Sequence, residues 1–588
     1  MDTHEPSSDG TFHVQFVAIG DSDFGWVGLG YLSTALKAIP GVSVGASYFS
    51  QAGMDEGCEA VVACRPDLVG LPVLQANLRP VREFVRRTRP RLPEAHFTLG
   101  NREVTAQPEL MLDWCDGVDS VVFGEAELTL AEIVRRLIAH EAFDECAGAH
   151  FRVGSRVIRN PGRPLERDLE RLGNPDRDVL PTENSFLLPN EAQRVFPVLS
   201  ARGCTAFCTF CEVGRVKPGE MRVRSMDHVL DEVATLMRER DATYILFSDD
   251  SFEDGHPVAG QRFRDLCRGI RHRQLDFRFF LMCKASAVDT DAIAIFQELK
   301  DAGLDQLFIG FEAGNDADLK LYGKSSRTRD NVRALEILED LDITVNPGFI
   351  MFNPYSTFAR LRENIEFLLR FGFLCSTDIV SSRLFLFSGV PLTRKVFRDG
   401  LVQPGVDFPV AEAHGYRFAD PRIGEAWEAV RGIGVPAAMD SMLGTESLTR
   451  WLTDPNSAYR DDPIVGAFRT IFDDFRLAAN RQIAELLTEI LARAEAGEVG
   501  MDRALQTERD ALRAELDRSW QVVNKAGLLI RSLLAAQGRL PIGNHAFAVP
   551  GQRRLFGTAN TTAPVAMEAA TATPSRRKNG RVGSAGEA

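Results

Sequence analysis

The sequence predicts an α/β chain made of two successive sheets. The first is a doubly wound, Rossmann-like sheet, and the second a partial (β/α)6 barrel of the TIM type. A mainly α C-terminal region and a disordered tail follow. Three observations predict this. Short apolar runs alternate with helical stretches over 13–140 and again over 194–400. Three cysteines fall within eight residues, directly after the first strand of the second set. After about residue 400 the strand pattern fades and apolar positions recur at helical spacing. With 588 residues the chain is too long for one core, which rarely exceeds about 250–300 residues, so three structural units are expected.

Composition narrows the function classes. With 44% apolar and 26% charged residues, the chain has the make-up of a soluble globular protein. No apolar run approaches the roughly 18 residues of a membrane-spanning helix, and the acidic start Met1-Asp-Thr-His-Glu-Pro does not read as a signal peptide. The net charge of −14 argues against general nucleic-acid binding, which draws its affinity from clustered Lys and Arg. Ten cysteines in 588 residues are too few for a disulfide scaffold, so a reducing cytoplasm is expected. Arginine outnumbers lysine 59 to 9, the usage of a GC-rich bacterial genome.

The elements follow in order. The first 12 residues carry Pro, Ser, Asp and Gly with no apolar period. Val14–Ile19 reads as a strand ending in Gly20-Asp21. A glycine-rich turn (Gly25, Gly28, Gly30) leads into a helix through Leu32–Leu36. Val42–Phe49, Leu68–Val73, His96–Gly100 and Ser120–Gly124 read as further strands, with helices over Val81–Arg87 and Thr129–Ile138. Strand-helix alternation at this spacing implies a parallel sheet that takes ligands beyond the carboxyl ends of its strands. Residues 141–193, rich in Arg, Pro and Asn, read as a connector.

The alternation resumes with strand candidates Phe196–Ser200, Tyr244–Ser248, Phe277–Cys283, Gln306–Gly314, Ile343–Phe352 and Ile379–Phe387. Six units in this length suit a partial barrel better than a complete one. Residues 401–550 read as helical, with a stripe of Ile483, Leu486, Leu487, Ile490 and Leu491 and a second helical stretch over 503–535. They are expected to cap the barrel and complete a substrate site. Residues 551–588 read as a disordered basic tail.

The chemistry concentrates in Leu199-Ser-Ala-Arg-Gly-Cys204-Thr-Ala-Phe-Cys208-Thr-Phe-Cys211. A loop after a barrel's first strand lies at the face where such folds hold their active sites. Three thiolates can ligate three irons of a cubane cluster and leave the fourth iron open. Gly203 lets the backbone approach, and Phe210 can shield the cluster from water. Zinc is the main alternative, with Glu212 as a neighbouring ligand, although the Cys-x3-Cys-x2-Cys spacing differs from the usual paired-cysteine zinc pattern.

This Cys-x3-Cys-x-aromatic-Cys segment resembles the radical S-adenosylmethionine superfamily. The resemblance implies that Cys204, Cys208 and Cys211 hold a [4Fe–4S] cluster whose open iron chelates S-adenosylmethionine. An electron from an external donor of flavodoxin or ferredoxin type then splits that molecule to a 5′-deoxyadenosyl radical. Phe247-Ser-Asp-Asp-Ser-Phe252 resembles the segment that receives the methionine amino group, with Asp249 and Asp250 as acceptors. Phe308-Ile-Gly-Phe-Glu312-Ala-Gly-Asn315 resembles the fourth strand, where Glu312 would contact the cofactor's polar groups. Gly323-Lys324 followed by Asn331 is similar to the family's linking helix, and Asn346–Pro354 to the strand that packs on adenine.

The N-terminal unit, 13–140, is similar to the cobalamin-binding domain fused to many radical enzymes. Pro66–Pro72, Thr98-Leu-Gly100 and Asp119–Leu130 carry that likeness. It implies that Gly100 lets the corrin's nucleotide tail approach, and that Gly124 and Glu125 close the rim. No Asp-x-His-x-x-Gly occurs in 1–150, so no histidine is expected under the cobalt, and Gly100-Asn101 stands where the family often has Gly-Gly.

Together the two resemblances imply a cobalamin-dependent methyltransferase. One S-adenosylmethionine would form methylcobalamin, and a second the radical that removes a hydrogen from an unactivated carbon. The substrate is expected to be a small molecule or peptide, such as a natural-product intermediate. Two other readings stay open: a radical cyclisation or rearrangement without methyl transfer, and a non-catalytic iron–sulfur or zinc protein that binds a partner. Cys58, Cys64, Cys115, Cys146, Cys267 and Cys375 fall in helical or apolar contexts. Cys283 ends a strand and reads as core, while Tyr322 and His256 lie near strand ends, within reach of a substrate.

Overall fold

Phe12–Ile19 is buried at nearly every position, as expected of a strand covered on both faces of a parallel sheet. It is the first strand, β1, of the first of two large sheets in a computed structural model that describes residues 11–20, 26–181, 194–213, 220–253, 258–375, 377–403, 415–431, 433 and 462–537. With β2 (Val42–Phe49), β3 (Leu68–Pro72), β4 (His96–Gly100) and β5 (Ser120–Val122) it forms a parallel array. The helices Val27–Lys37, Leu78–Thr88 and Glu127–Ala139 connect and cover it. The strand order is β2-β1-β3-β4-β5, so the sheet reverses direction between β1 and β3. Such a switch opens a crevice at the carboxyl ends of the strands.

The connector differs from its sequence reading. Ala149–Val153 and Arg156–Arg159 form β6 and β7, which extend the first sheet in antiparallel fashion and bring it to seven strands. Arg152, Arg156 and Arg159 interrupt the apolar pattern there, because an edge hairpin needs charge outward rather than continuous apolar residues. Further along, Asn174 and Arg177 tie the connector to Arg224 and to Glu232 on the helix Met226–Arg240, with bonds of 2.8 and 2.6 Å.

The second sheet contains five parallel strands in the order β14-β13-β12-β11-β8: β8 (Val195–Val198), β11 (Tyr244–Phe247), β12 (Arg278–Cys283), β13 (Leu304–Glu312) and β14 (Thr344–Phe349). A small ladder of β9 (Ala201–Arg202) and β10 (Arg222–Val223) stands beside it. The sixth strand expected over Ile379–Phe387 is absent as a strand. Thr377–Val380 is a short helix, and one parallel bridge joins Phe352 to Arg383. From there the chain turns to the first sheet instead, where Gln75 donates to the Leu386 carbonyl at 2.8 Å and Ser388 bonds Glu103.

Side-chain parity divides this sheet into two faces. Val195, Tyr244, Leu246 and Phe280, with Met282 and Phe308, form a small inner cluster. Val198, Ile245, Phe247, Phe279, Leu281, Leu307 and Ile309 join the large core under the outer helices.

The C-terminal helices Pro463–Glu495 and Gln506–Ala536 form a hairpin, with Phe475 and Trp520 ring centroids 5.6 Å apart. The stripe Ile483, Leu486, Leu487, Ile490 and Leu491 is buried. The described part of this region packs on the outer layer, where Asn480 accepts the Leu374 N–H at 2.7 Å, and is tied within itself by Arg509, which donates to the Ala429 carbonyl at 2.9 Å. The tail 551–588 and the first ten residues lie outside the described residues.

Candidate active site

The cysteine loop leaves the end of β8 through Gly203, whose φ of +95° and surroundings admit no side chain. A Cβ there would come within 2.4 Å of the Glu220 carbonyl oxygen. Beyond it, Cys204 accepts the Ala206 N–H and Cys211 the Val213 N–H, both at 3.4 Å. The middle of the loop is pinned from outside. Thr209 donates its N–H to Tyr322 and its hydroxyl to Leu321, at 2.9 and 2.7 Å, and accepts the Leu392 N–H at 2.9 Å. Phe210 packs edge-on against Tyr322. Tyr322 is therefore fully buried and props the loop, rather than facing a substrate as the sequence reading allowed. His256 lies outside the described residues.

Burial raises the Cys208 thiol above its usual pKa and pushes Cys211 up to about 12. A ligand that holds them as thiolates must displace their protons. No disulfide joins any of the ten cysteines, and Cys283 is buried on the outer face as core. Among the described residues, no three His, Cys, Asp or Glu side chains close on a single-ion position. In a cubane each thiolate binds a different iron.

The two acidic residues after β11 separate by parity. Asp249 continues the outer row and is buried, accepting the Ser200 and Ala201 N–H groups at 2.7 and 2.9 Å as well as the Ser200 hydroxyl. This corrects its expected role as a cofactor acceptor: its oxygens are committed to the strand end that launches the cysteine loop. Asp250 continues the inner row and takes the Gly203 N–H. Burial raises its carboxyl above the usual range, opposed by Arg102. Tyr244 and Leu246 already stand in the inner cluster, so this alternation was available in the sequence.

Glu312 ends β13 at a bulge, with φ of +65°. Lys324 bonds the Gly310 carbonyl at 2.8 Å and lies 3.4 Å from Glu312. Burial raises the Glu312 carboxyl, and Lys324 opposes the rise. Asn331 is buried, donating to the Phe311 carbonyl at 3.2 Å from the following helix, so it braces this strand end. Lys284, which the sequence reading missed, continues the inner row of Phe280 and Met282 and donates to Thr205 in the cysteine loop at 2.9 Å.

Opposite the loop stand the strand ends of the first sheet. A Cβ on Gly100 would meet only ordinary contact, at 3.9 Å, and one on Gly124 would meet open space. The backbone is bare on this side, as a cradle for a broad ligand requires. Asn101 has φ of +82° and ψ of −168°, a region that glycine alone adopts without strain. The chain thus retains a glycine-type backbone at this position while carrying asparagine. Glu125, expected at the rim, bonds Arg222 at 3.0 Å and lies 3.6 Å from Arg202. It ties the first sheet to the small β9–β10 ladder rather than standing free. Arg102, also missed in the sequence, crosses to Glu212 at 2.9 Å and Asp250 at 3.9 Å.

Residues 198–368 match the Radical SAM superfamily and residues 17–134 match the B12 binding domain. The chain is a B12-binding domain fused to a radical SAM domain. The uncharacterized methyltransferase PH0819 of Pyrococcus horikoshii is 23% identical, over 59% of this chain and 72% of its own length. The anaerobic magnesium-protoporphyrin IX monomethyl ester cyclase of Rubrivivax gelatinosus is also 23% identical, over 53% of this chain and 56% of its own. Among solved structures, the cobalamin-dependent S-adenosylmethionine radical enzyme OxsB has the same fold, at a TM-score of 0.61 and 17% identity over 91% of this chain and 82% of OxsB. The radical S-adenosylmethionine methyltransferase TsrM of Kitasatospora setae shares it too, at 0.56 and 15% over 83% of this chain and 100% of TsrM.

The cofactors of this B12-binding radical SAM enzyme are a [4Fe–4S] cluster, S-adenosylmethionine and cobalamin. It also needs a reductant and a substrate. The residues present fit these groups: three thiols outside any disulfide, in a loop pinned at Thr209, and a bare backbone rim opposite. No helix among the described residues is long and apolar enough to cross a membrane.

Proposed function

We propose that this enzyme methylates an unactivated carbon of a natural-product or peptide intermediate. The cluster supplies the electron that cleaves S-adenosylmethionine, and cobalamin carries the methyl group. Cys204, Cys208 and Cys211 hold the cluster. Asp250 accepts hydrogen bonds from the ammonium of S-adenosylmethionine, a charge-assisted contact, while Asp249 fixes the strand end beneath it. Glu312 and Lys324 orient the cofactor's polar groups, and Gly100 and Gly124 leave room for the corrin. Phe210 and Tyr322 keep water from the loop's inner side, which protects a reactive radical. Ten thiols with no disulfide among them suit a reducing cytoplasm.

One observation carries this reading. The cysteine loop and the strand ends of the first sheet are joined by Arg102–Glu212 and Arg222–Glu125, which supports two cofactor seats close enough to share a reaction. The test needs no substrate. Enzyme with a reconstituted cluster and reduced cobalamin is given S-adenosylmethionine with a deuterated methyl group. Deuterium in the corrin fraction, with S-adenosylhomocysteine released, is expected. Cleavage to 5′-deoxyadenosine with no label on the corrin would contradict methyl transfer and favour the second reading, a radical cyclisation or rearrangement. The likeness to the cyclase, at the same identity as to PH0819, is what supports that alternative.

A further inference from the structure

Glu212 directly follows the last cysteine of the loop, and its side chain is only 13% exposed. A carboxylate so placed needs a countercharge, since an unpaired buried charge is costly. Its countercharge comes from the other domain. Arg102 approaches Glu212 at 2.9 Å through one terminal nitrogen and Asp250 at 3.9 Å through the other. Asp250 in turn takes the N–H of Gly203, the residue before the first cysteine. The three charged groups therefore bracket the loop at both ends.

The local backbone is built to present this arginine. Asn101 adopts its glycine-type conformation, and its side chain accepts the Arg102 N–H at 2.8 Å. Its carbonyl accepts the Thr105 N–H at 2.9 Å. The short helix Arg102–Ala106 thus starts at the rim of the first sheet and sends its first side chain across to the cysteine loop.

We propose that Arg102 is a positioning residue for the iron–sulfur site: from the B12-binding domain, it neutralises Glu212 and Asp250 and sets the reduction potential of the cluster. Taking up an electron adds negative charge to the cluster. A cation beside the loop favours that step and an uncompensated carboxylate opposes it. Arg102 offsets two carboxylates, so its removal exposes the cluster to both. The inference rests on Cys204, Cys208 and Cys211 holding the cluster, which iron counting on the wild type checks separately.

The experiment is a redox titration of the reconstituted, cobalamin-free enzyme, followed by electron paramagnetic resonance. Arg102→Gln should shift the midpoint to more negative potential, and Glu212→Gln should shift it to more positive. Arg102→Lys should stay near the wild type, and Arg102→Gln combined with Glu212→Gln should return toward it. Opposite shifts from the two partners are the signature of charge, which a merely structural contact would not produce. Iron content is measured on each variant. If Arg102→Gln retains too little cluster, the Glu212→Gln and Arg102→Lys arms decide alone. Unchanged midpoints, or shifts of the same sign in both single variants, would overturn the proposal.

Discussion

The two sheets of this chain are joined by ion pairs at their strand ends, yet those ends present opposite chemistry. The first sheet offers backbone. Gly100 meets only ordinary contact and Gly124 open space, and Asn101 keeps a conformation proper to glycine. The second offers side chains: three thiols, Asp250, Lys284 and the Glu312–Lys324 pair. A broad macrocycle is held by shape and by close approach of bare backbone, whereas a cluster and a zwitterionic amino acid are held by ligands and charge. The side chains that cross between the domains, Arg102 to Glu212 and Glu125 to Arg222, pair them rather than ligate.

This contrast is open to direct attack. The largest expected effect belongs to Gly203→Ala. A Cβ would meet the Glu220 carbonyl oxygen at 2.4 Å, at a φ of +95°, a strain of about 2 kcal/mol or more. Iron content after reconstitution should fall to a small fraction of wild type, with cobalamin affinity unchanged. If cobalamin binding fell equally, the two seats would not be independent.

Asp249 and Asp250 should fail differently. Asp249→Ala strands two buried N–H donors and should cost about 1–3 kcal/mol for each one left unpaired, visible as a lower unfolding midpoint. Asp250→Asn should leave that midpoint nearly unmoved and weaken S-adenosylmethionine binding roughly tenfold or more, read by calorimetry on the cluster-loaded protein. The reverse pattern would exchange their roles.

A smaller effect is set by pH. Burial raises the Asp250 carboxyl above the usual aspartate value. A protonated carboxyl cannot hold an ammonium as an ion pair. Affinity for S-adenosylmethionine is therefore present above that raised pKa and lost as pH falls through it, beginning at higher pH than an ordinary aspartate would show. Asp250→Asn should flatten the profile, and an unchanged profile would remove Asp250 from the contact.

Asn101→Gly should have the smallest effect. It relieves the backbone strain but gives up the side-chain bond to Arg102, for a net gain of about 1 kcal/mol in stability of the first domain. Urea unfolding followed by a probe in that domain reads it. A loss would show that the side-chain bond outweighs the strain.

Much of this was legible in the sequence. Val42–Phe49 and His96–Gly100 were read to their end residues, because each is a short β-prone run set off by turn residues, the half-buried edge strand as well as the buried inner one. The cysteine loop was legible from its spacing. Other features depend on partners far along the chain. Nothing near Arg102 announces that it meets Glu212, 110 residues away. The β6–β7 hairpin hid behind its arginines, and the sixth strand gave way as Leu386 and Ser388 bond Gln75 and Glu103 of the first domain. Asp249 and Asp250 could have been separated by extending the alternation of Tyr244 and Leu246 four residues further.

The most direct test of two independent seats is metal and corrin counting on the wild type and on Cys208→Ala after anaerobic reconstitution with iron, sulfide and cobalamin. The wild type should carry a full cubane's iron and one corrin, and the variant should lose the cluster and S-adenosylmethionine cleavage while keeping the corrin. A variant that retained full iron and still cleaved S-adenosylmethionine, or that lost corrin together with iron, would contradict the account.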